Sequence, residues 1–383
     1  MAPRLKSLDF FNSAYARRIE QIAKEKREGR KVFGTFCLYV PDEIVFAAGA
    51  DRVILCGGRS DTIPLAEEFL PRSVCPLVKS SFGSIVGSSR GCAGICGHFG
   101  LVDVVVAEAT CDGKKKMYEL LRDRIPTYVI DLPQVPESPG ALAYFRGELE
   151  RLRGYIEGLT GLQVTDDGLR VEIRSANETR RLLRRLFDYR KRDSPPLTGM
   201  EALQVMQRQF FMSPADFRAG ISALCEEIKG AVPPSCKPGP RIMIAGCPMS
   251  SGNTKVPEII EDRGAVIVVE ESCTGTRAFE NLVDETKPPM QAIAERYLKI
   301  PCACMTPNDR RVRDIVALAK EYRVDGVVYY TLQGCHGYNI ERQRVQQALK
   351  EAGVPMLAIE TDYSASDVGQ IGLRVDAFME MIS

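Results

Sequence analysis

The sequence is poor in histidine. His98 and His336 are the only two in 383 residues, so a mononuclear zinc enzyme with imidazole ligands has little to build on and only an all-cysteine zinc site stays open. Net charge is nearly absent as well: 51 lysines and arginines stand against 50 aspartates and glutamates, for a formal +1. Such a chain has no global field for nucleic acid and no polybasic signature for a membrane, so neither partner is expected. Nowhere do eighteen consecutive apolar residues occur, and the stretch from Met1 to Glu20 lacks the continuous apolar core of a signal peptide. The expected compartment is therefore cytoplasmic. A nucleotide-hydrolysis motif is missing too. The segment IAGCPMSSGNTK (244–255) has the strand–loop–helix look of a phosphate cradle but lacks the Gly-Lys-Ser/Thr of a P-loop, and its Asn253 and Thr254 suit a helix cap. If ATP drives this chemistry, another protein hydrolyses it.

What the sequence has in excess is cysteine. Thirteen occur, and in a reducing compartment a disulfide framework is disfavoured, leaving metal binding or redox chemistry. The length exceeds what one core usually supports, which points to two α/β domains. Hydrophobic and charged fractions of 45% and 26% are those of an ordinary globular chain.

An amphipathic helix opens the chain, with Leu8, Phe11, Tyr15, Ile19 and Ile22 at helical spacing before Gly29. Short β-branched runs then alternate with helical stretches: KVFGTFC (31–37), RVILC (52–56), DVVVAEATC (103–111) and TYVID (127–131). After the Pro-rich VPPSCKPGP (232–240) they return as RIMIAGC (241–247), AVIVVEESC (265–273), DGVVYYTLQGC (325–335) and PMLAIETD (355–362). The pattern predicts an α/β fold of two doubly wound, mostly parallel, Rossmann- or flavodoxin-like domains with a helical insertion. Its expected divisions are an N-terminal helix (1–30), a first α/β domain (31–140), an insertion and linker (141–240) and a second α/β domain (241–383). The insertion carries a basic patch, RRLLRRLFDYRKRD (180–193), read as a solvated helix face. The halves also rhyme: Asp103 starts a strand ending at Cys111 and Pro126 introduces the next, while Asp325 starts a strand ending at Cys335 and Pro355 introduces the next. This reads as a diverged duplication, though the general grammar of β-α-β units produces similar rhymes.

Six cysteines, Cys37, Cys56, Cys111, Cys247, Cys273 and Cys335, fall at the C-terminal ends of expected strands, where open parallel sheets bind ligands. Others lie in loops: Cys75 before Pro76, Cys92 and Cys96 in GCAGICGHFG, and the close pair Cys302 and Cys304 in PCACMTPND. Free cysteine also packs as a small hydrophobe, and Cys37, Cys56, Cys225 and Cys236 are assigned to that role, with Cys247 fitting either. Candidate metal ligands are those in loops or at strand ends beside Gly, Asp or His: Cys75, Cys96, Cys111, Cys302, Cys304 and Cys335. Their scatter argues against zinc fingers, whose ligands come in local pairs. Gly97 and Gly334, beside two of them, hold the loops in shapes that let backbone N–H groups face bound sulfur.

The strings CPLVKSSFG (75–83), EATCDGKKKMYELL (108–121), ESCTGTR (271–277), PCACMTPNDRR (301–311), LQGCHGY (332–338) and IETDYSASDVGQIGLRVDAFMEM (359–381) resemble the superfamily of 2-hydroxyacyl-CoA dehydratases and benzoyl-CoA reductases. The resemblance runs from about Gly34 to the C-terminus. It implies a four-iron cubane held, as in dehydratase subunits, by Cys75, Cys111 and Cys335. With Cys96 and the Cys302/Cys304 pair, the chain is similar to the double-cubane-cluster proteins, in which two cubanes share a sulfide and three thiolates serve each half. Cys273 is an alternative to Cys302 or Cys304, and Cys92 to Cys96. The family further implies a homodimer supplied with electrons by a separate ATP-hydrolysing iron–sulfur reductase. No string by itself marks a CoA pocket. Three functions are thus in view: a reductase of small molecules, a 2-hydroxyacyl-CoA dehydratase subunit with one four-iron cluster, and a non-catalytic electron-transfer or zinc-binding protein. Catalytic candidates are His336, Glu108 and Tyr338, with His98 and Glu270 also near the cysteine strings.

Overall fold

A computed structural model describes residues 5–90, 97–230 and 239–382. Among the described residues eight parallel strands form two sheets. The first contains β1 (Val32–Thr35), β2 (Asp51–Ile54), β3 (Val104–Glu108) and β4 (Thr127–Ile130), ordered β2-β1-β3-β4. The second contains β5 (Arg241–Gly246), β6 (Val266–Glu271), β7 (Gly326–Leu332) and β8 (Met356–Thr361), ordered β6-β5-β7-β8. The central strands β3 and β7 are buried along their whole length, which is why they read as continuous apolar runs and not as alternating ones.

The strand order is the same in both sheets, and so are the hydrogen bonds of the residues that rhyme. The Asp103 carboxylate accepts from the Val32 amide at the start of β1 (2.9 Å), and the Asp325 carboxylate accepts from the Arg241 amide at the start of β5 (2.7 Å). The Pro126 and Pro355 carbonyls likewise accept from Val105 (2.8 Å) and Val327 (2.9 Å). An internal repeat thus has a physical signature, the same carboxylate satisfying the same orphan amide at the foot of the central strands.

Between the sheets in sequence lie four helices, Ala141–Thr160, Asp166–Tyr189, Gly199–Gln209 and Pro214–Lys229. The last three start on caps visible in the sequence: the Thr165 side chain accepts from the Gly168 amide, Thr198 and Glu201 form a reciprocal capping box, and Ser213 precedes Pro214 at the first helical position. The opening helix, Ser7–Arg27, packs on the last two of these helices and buries Leu8, Phe11 and Ile22. No helix among the described residues is long and apolar enough to cross a membrane.

Two arginines of the basic patch correct its reading as a solvated face. Arg190 is fully buried and donates to both carboxylate oxygens of Glu270 in β6, each at 2.6 Å. Arg180 is buried against Glu43 at 2.8 Å. The patch is in part a set of anchors tying the insertion to β6 and to the helix Asp42–Ala47 that follows β1, because burying a guanidinium is costly unless a carboxylate pairs with it.

The C-terminal edges of the sheets face each other. Tyr39, beyond β1, donates to the Ile300 carbonyl (2.7 Å), and Tyr363, beyond β8, donates to the Gly57 carbonyl (3.2 Å). Beside the second contact the chains approach so closely that a Cβ on Gly58 would lie 2.6 Å from the Ser251 carbonyl oxygen.

Candidate metal centre

Every strand expected to end on a cysteine stops one to three residues short of it, so the thiol belongs to the loop that follows: Cys37 after β1, Cys56 after β2, Cys111 after β3, Cys247 after β5, Cys273 after β6 and Cys335 after β7. The repeat makes these equivalent in pairs, Cys37 with Cys247, Cys56 with Cys273 and Cys111 with Cys335. Cys75 opens the helix Pro76–Ser89 that leads toward β3, and Cys302 and Cys304 precede the helix Asp309–Glu321 that leads to β7. All nine are free thiols. Because the sheets face each other by their strand ends, these loops meet.

Three of them share a further feature. Cys75, Cys111 and Cys335 are the N-cap residues of the helices Pro76–Ser89, Asp112–Leu121 and His336–Glu351. The backbone amides of Leu77 and Val78 favour the Cys75 thiolate, that of Lys114 the Cys111 thiolate and that of Tyr338 the Cys335 thiolate. Unsatisfied N–H groups at a helix start are a standard way of stabilising sulfur anions.

The thiols interact mostly across the two sheets. Cys335 holds the Cys75 thiol well above its ordinary range, Cys37 is raised by Cys273, and Cys304 is raised by Cys302. The partner in two of these pairs moves the other way: Cys302 is lowered to about 6 by its contact with Cys304, and Cys273 is lowered by Cys37, with the Arg277 guanidinium contributing to both. Cys247 raises Cys335, and Cys111 raises Cys304. Two groups result, Cys75 with Cys335 and Cys247, and Cys111 with Cys302 and Cys304; the repeat relates Cys335 of the first to Cys111 of the second, and Cys37 and Cys273 adjoin.

Close approach of small residues brings the loops together. Gly334 has φ +71°, and a Cβ there would stand 2.5 Å from the Ser73 carbonyl oxygen, so the Cys335 loop lies directly on the Cys75 loop. A Cβ on Gly337 would lie 3.2 Å from the Ala303 carbonyl oxygen, between Cys302 and Cys304. Gly97, by contrast, is in a 3-10 turn with Ile19 nearest to its Cβ position. Cys92, Cys96 and Cys236 lie outside the described residues.

The donor set is soft, anion-forming sulfur, packed so that thiolates repel unless cations lie among them. Among the described residues no three His, Cys, Asp or Glu side chains converge on the position of one ion. A cluster that binds its thiolates through separate iron atoms does not require that convergence. The residues present fit such a group.

Around the thiols, buried polar side chains form two sets. Lys114 donates to Glu108 (3.2 Å) at the end of β3, and burial raises this carboxyl to about 7; its Oε2 and the hydroxyl of Tyr118 are sealed from solvent without a partner. On the other side Arg277 donates to Glu271 at 2.5 and 2.9 Å and to the Tyr338 hydroxyl, while Arg311 joins Glu271 at 2.9 Å. His336 is exposed at the first position of its helix.

Several assignments made on sequence need correction. Cys37, read as packing, faces Cys273. Cys56 keeps the packing role expected of it, its thiol bonded to the Phe36 carbonyl and pushed up to about 12 by burial. Cys225 is buried among the insertion helices beside the Leu182 carbonyl, as expected of packing. His98 is enclosed, with its ring nitrogens 2.8 Å from the Tyr15 hydroxyl and 3.0 Å from the Ile54 carbonyl, and burial lowers it to about 4. Glu270 is fully engaged by Arg190. Neither is placed to donate protons at the thiols.

Residues 37–382 match the family described as 2-hydroxyglutaryl-CoA dehydratase, D-component. The chain belongs to this family. Among its relatives, the Escherichia coli (strain K12) protein YjiM, named as a dehydratase subunit, is 38% identical, with 93% of each chain covered. The (R)-phenyllactyl-CoA dehydratase beta subunit of Clostridium sporogenes is 22% identical over 93% of each. A benzoyl-CoA reductase subunit of Thauera aromatica is 22% identical over 94% of this chain and 92% of its own. Dehydratase and reductase subunits therefore both stand among the relatives of this D-component family member.

Proposed function

We propose that this chain is an iron–sulfur reductase that carries a double-cubane cluster and reduces small molecules with electrons from a separate ATP-hydrolysing iron–sulfur reductase, acting as a cytoplasmic homodimer. The observation that carries the reading is the pair of thiol groups, each drawn from both halves of the chain. Cys75 and Cys335, with Cys96 or Cys247, would hold one half; Cys111, Cys302 and Cys304 would hold the other, with Cys273 as an alternative in that set. When bound, such a cluster supplies low-potential electrons.

The chain's own residues would do the rest. Amides at three helix starts stabilise thiolates, and Lys114 and Arg277 offset their charge. Glu108, raised to about 7, can hold a proton on its unpartnered Oε2 and give it up near neutral pH, as a general acid requires. Tyr338, oriented by Arg277, offers a second hydroxyl proton, and His336 is the candidate on the exposed side. Gly334 keeps the Cys335 loop against that of Cys75.

A second reading, a 2-hydroxyacyl-CoA dehydratase subunit with one four-iron cluster on Cys75, Cys111 and Cys335, is favoured by the names of most of the relatives, the 38% identical Escherichia coli protein among them, and by the shared helix-start position of those three cysteines. Acetylene reduction by the purified chain, dependent on ATP and on the electron-donating partner, tests the first reading. Absence of such reduction, with dehydration of a 2-hydroxyacyl-CoA at a useful rate, would transfer the assignment to the second.

A further inference from the structure

Where β3 ends, its carbonyls lose the neighbour that had been satisfying them. The ladder with β4 runs one residue past the strand, the Ala109 amide donating to the Ile130 carbonyl (2.9 Å), and the chain beyond β4 then has no amide to give back. The Asp131 amide is taken by the Glu148 carboxylate (3.1 Å), the Leu132 amide by the Asp131 side chain (2.9 Å), and Pro133 has no N–H. The carbonyls of Ala109 and Thr110, immediately before Cys111, therefore need a donor from elsewhere. Gln134 supplies it. Its side-chain NH2 donates to Ala109 (3.0 Å) and to Thr110 (2.8 Å), and because both partners are acceptors only one orientation of the carboxamide fits.

The same residue faces the other half of the chain. The Gln134 carbonyl accepts from the Thr306 amide (2.7 Å), just beyond Cys304. Gln134 thus holds the loop of Cys111 with its side chain and the loop of Cys302 and Cys304 with its backbone. The far side of that second loop is fixed within its own half, where the Asn308 side chain donates to the Cys302 carbonyl (3.0 Å) and to Glu341 (2.6 Å) of the helix that follows Cys335. The repeat does not duplicate the device. Ala365 stands relative to the end of β8 where Gln134 stands relative to the end of β4, and it has no side-chain donor. There Gly334, in the place of Thr110, lets the Cys335 loop lie on that of Cys75 instead.

We propose that Gln134 is a positioning residue of the thiol centre, setting Cys111 against Cys302 and Cys304 independently of the contact that sets Cys335 against Cys75. In its bearing on bound metal the proposal rests on the double-cubane reading, so one arm of its test needs no cluster. The full chain, stripped of metal under anaerobic conditions, is treated with the thiol cross-linker dibromobimane. Yields of Cys111–Cys304 and Cys75–Cys335 links are compared by peptide mass spectrometry in the wild type and in Gln134→Met, which keeps the length of the side chain and removes both donors. The ratio of the first yield to the second is expected to fall at least about fivefold, the scale of one lost hydrogen bond; a change that only loosened the fold would lower both yields together. In the second arm the reconstituted variant should bind about half the iron of the wild type, the share held beside Cys75. An unchanged ratio, a parallel fall in both yields, or wild-type iron in the variant would overturn the proposal. A wild-type chain with about four irons or none would instead refute the double-cubane reading, leaving the cross-linking ratio to decide on Gln134. Should Gln134→Met fail to fold, Gln134→Ala, which truncates a half-buried side chain, takes its place with the same outcomes expected.

Discussion

Replacing Gly334 by alanine probes the contact that sets Cys335 against Cys75. At φ +71° an L-residue incurs about 1–2 kcal/mol, offset by up to about 1 kcal/mol because alanine restricts the unfolded chain. Gly161 and Gly353, at φ +72° and +73°, share that backbone cost, but a Cβ on either meets nothing within 4 Å. At Gly334 the new Cβ would stand 2.5 Å from the Ser73 carbonyl oxygen, closer than real contacts allow, and the obstacle is backbone. Relieving it by moving one loop adds the usual about 1–3 kcal/mol of overpacking. Urea unfolding should therefore show a loss of about 1 kcal/mol for Gly161→Ala and Gly353→Ala and about 2–4 kcal/mol for Gly334→Ala. Because the displaced loop carries Cys335, only Gly334→Ala should also lower bound iron after anaerobic purification. Equal losses in all three variants, with equal iron, would refute the claim that this close approach organises the centre.

Three other outcomes follow from the same structure. Cys111→Ser or Cys335→Ser should remove or shrink bound iron, whereas Cys225→Ser, buried beside the Leu182 carbonyl in the insertion, should leave iron content at the wild-type level by elemental analysis. Glu271→Gln strips Arg277 and Arg311 of the carboxylate they share, and a buried pair broken from one side costs about 3–5 kcal/mol; a loss under about 1 kcal/mol by urea titration would contradict this account of the network. Burial, and then repulsion by Asp314, raises Glu280 from 4.5 to about 7, so the folded state binds the extra proton. Its favourable effect on stability is present below about pH 4.5 and lost as pH rises through 7. Glu280→Gln should flatten the fall in unfolding midpoint between pH 5 and pH 8, and an unchanged slope would assign that fall to other groups.

The strands were legible in the sequence because parallel strands buried on both faces are written as unbroken β-branched runs. Their ends were less so: each expected strand ran on to its cysteine, since the residues linking strand to thiol are also mostly small or apolar, as in Ala109-Thr110-Cys111. The repeat was legible through Asp103 and Asp325, whose common task of capping a neighbouring strand fixes their spacing. Loop cysteines beside Pro and Gly stood out for the same reason, that such residues mark irregular backbone. What depends on the two sheets meeting could not be read from local pattern. The facing of Cys37 and Cys273, the engagement of Glu270 by Arg190 and the enclosure of His98 each join segments far apart in sequence. Gly337 carried an unused signal: it lies two positions after Cys335, and glycines close to a functional thiol mark places where another backbone comes close.

The most direct test of the central claim is the metal content of the anaerobically purified chain, with iron, zinc and acid-labile sulfide measured per polypeptide. Two cubanes on two thiol groups predict about eight irons with comparable sulfide and little zinc; about four irons would restrict the centre to a single dehydratase-like cluster, and stoichiometric zinc with no iron after reconstitution would contradict the account.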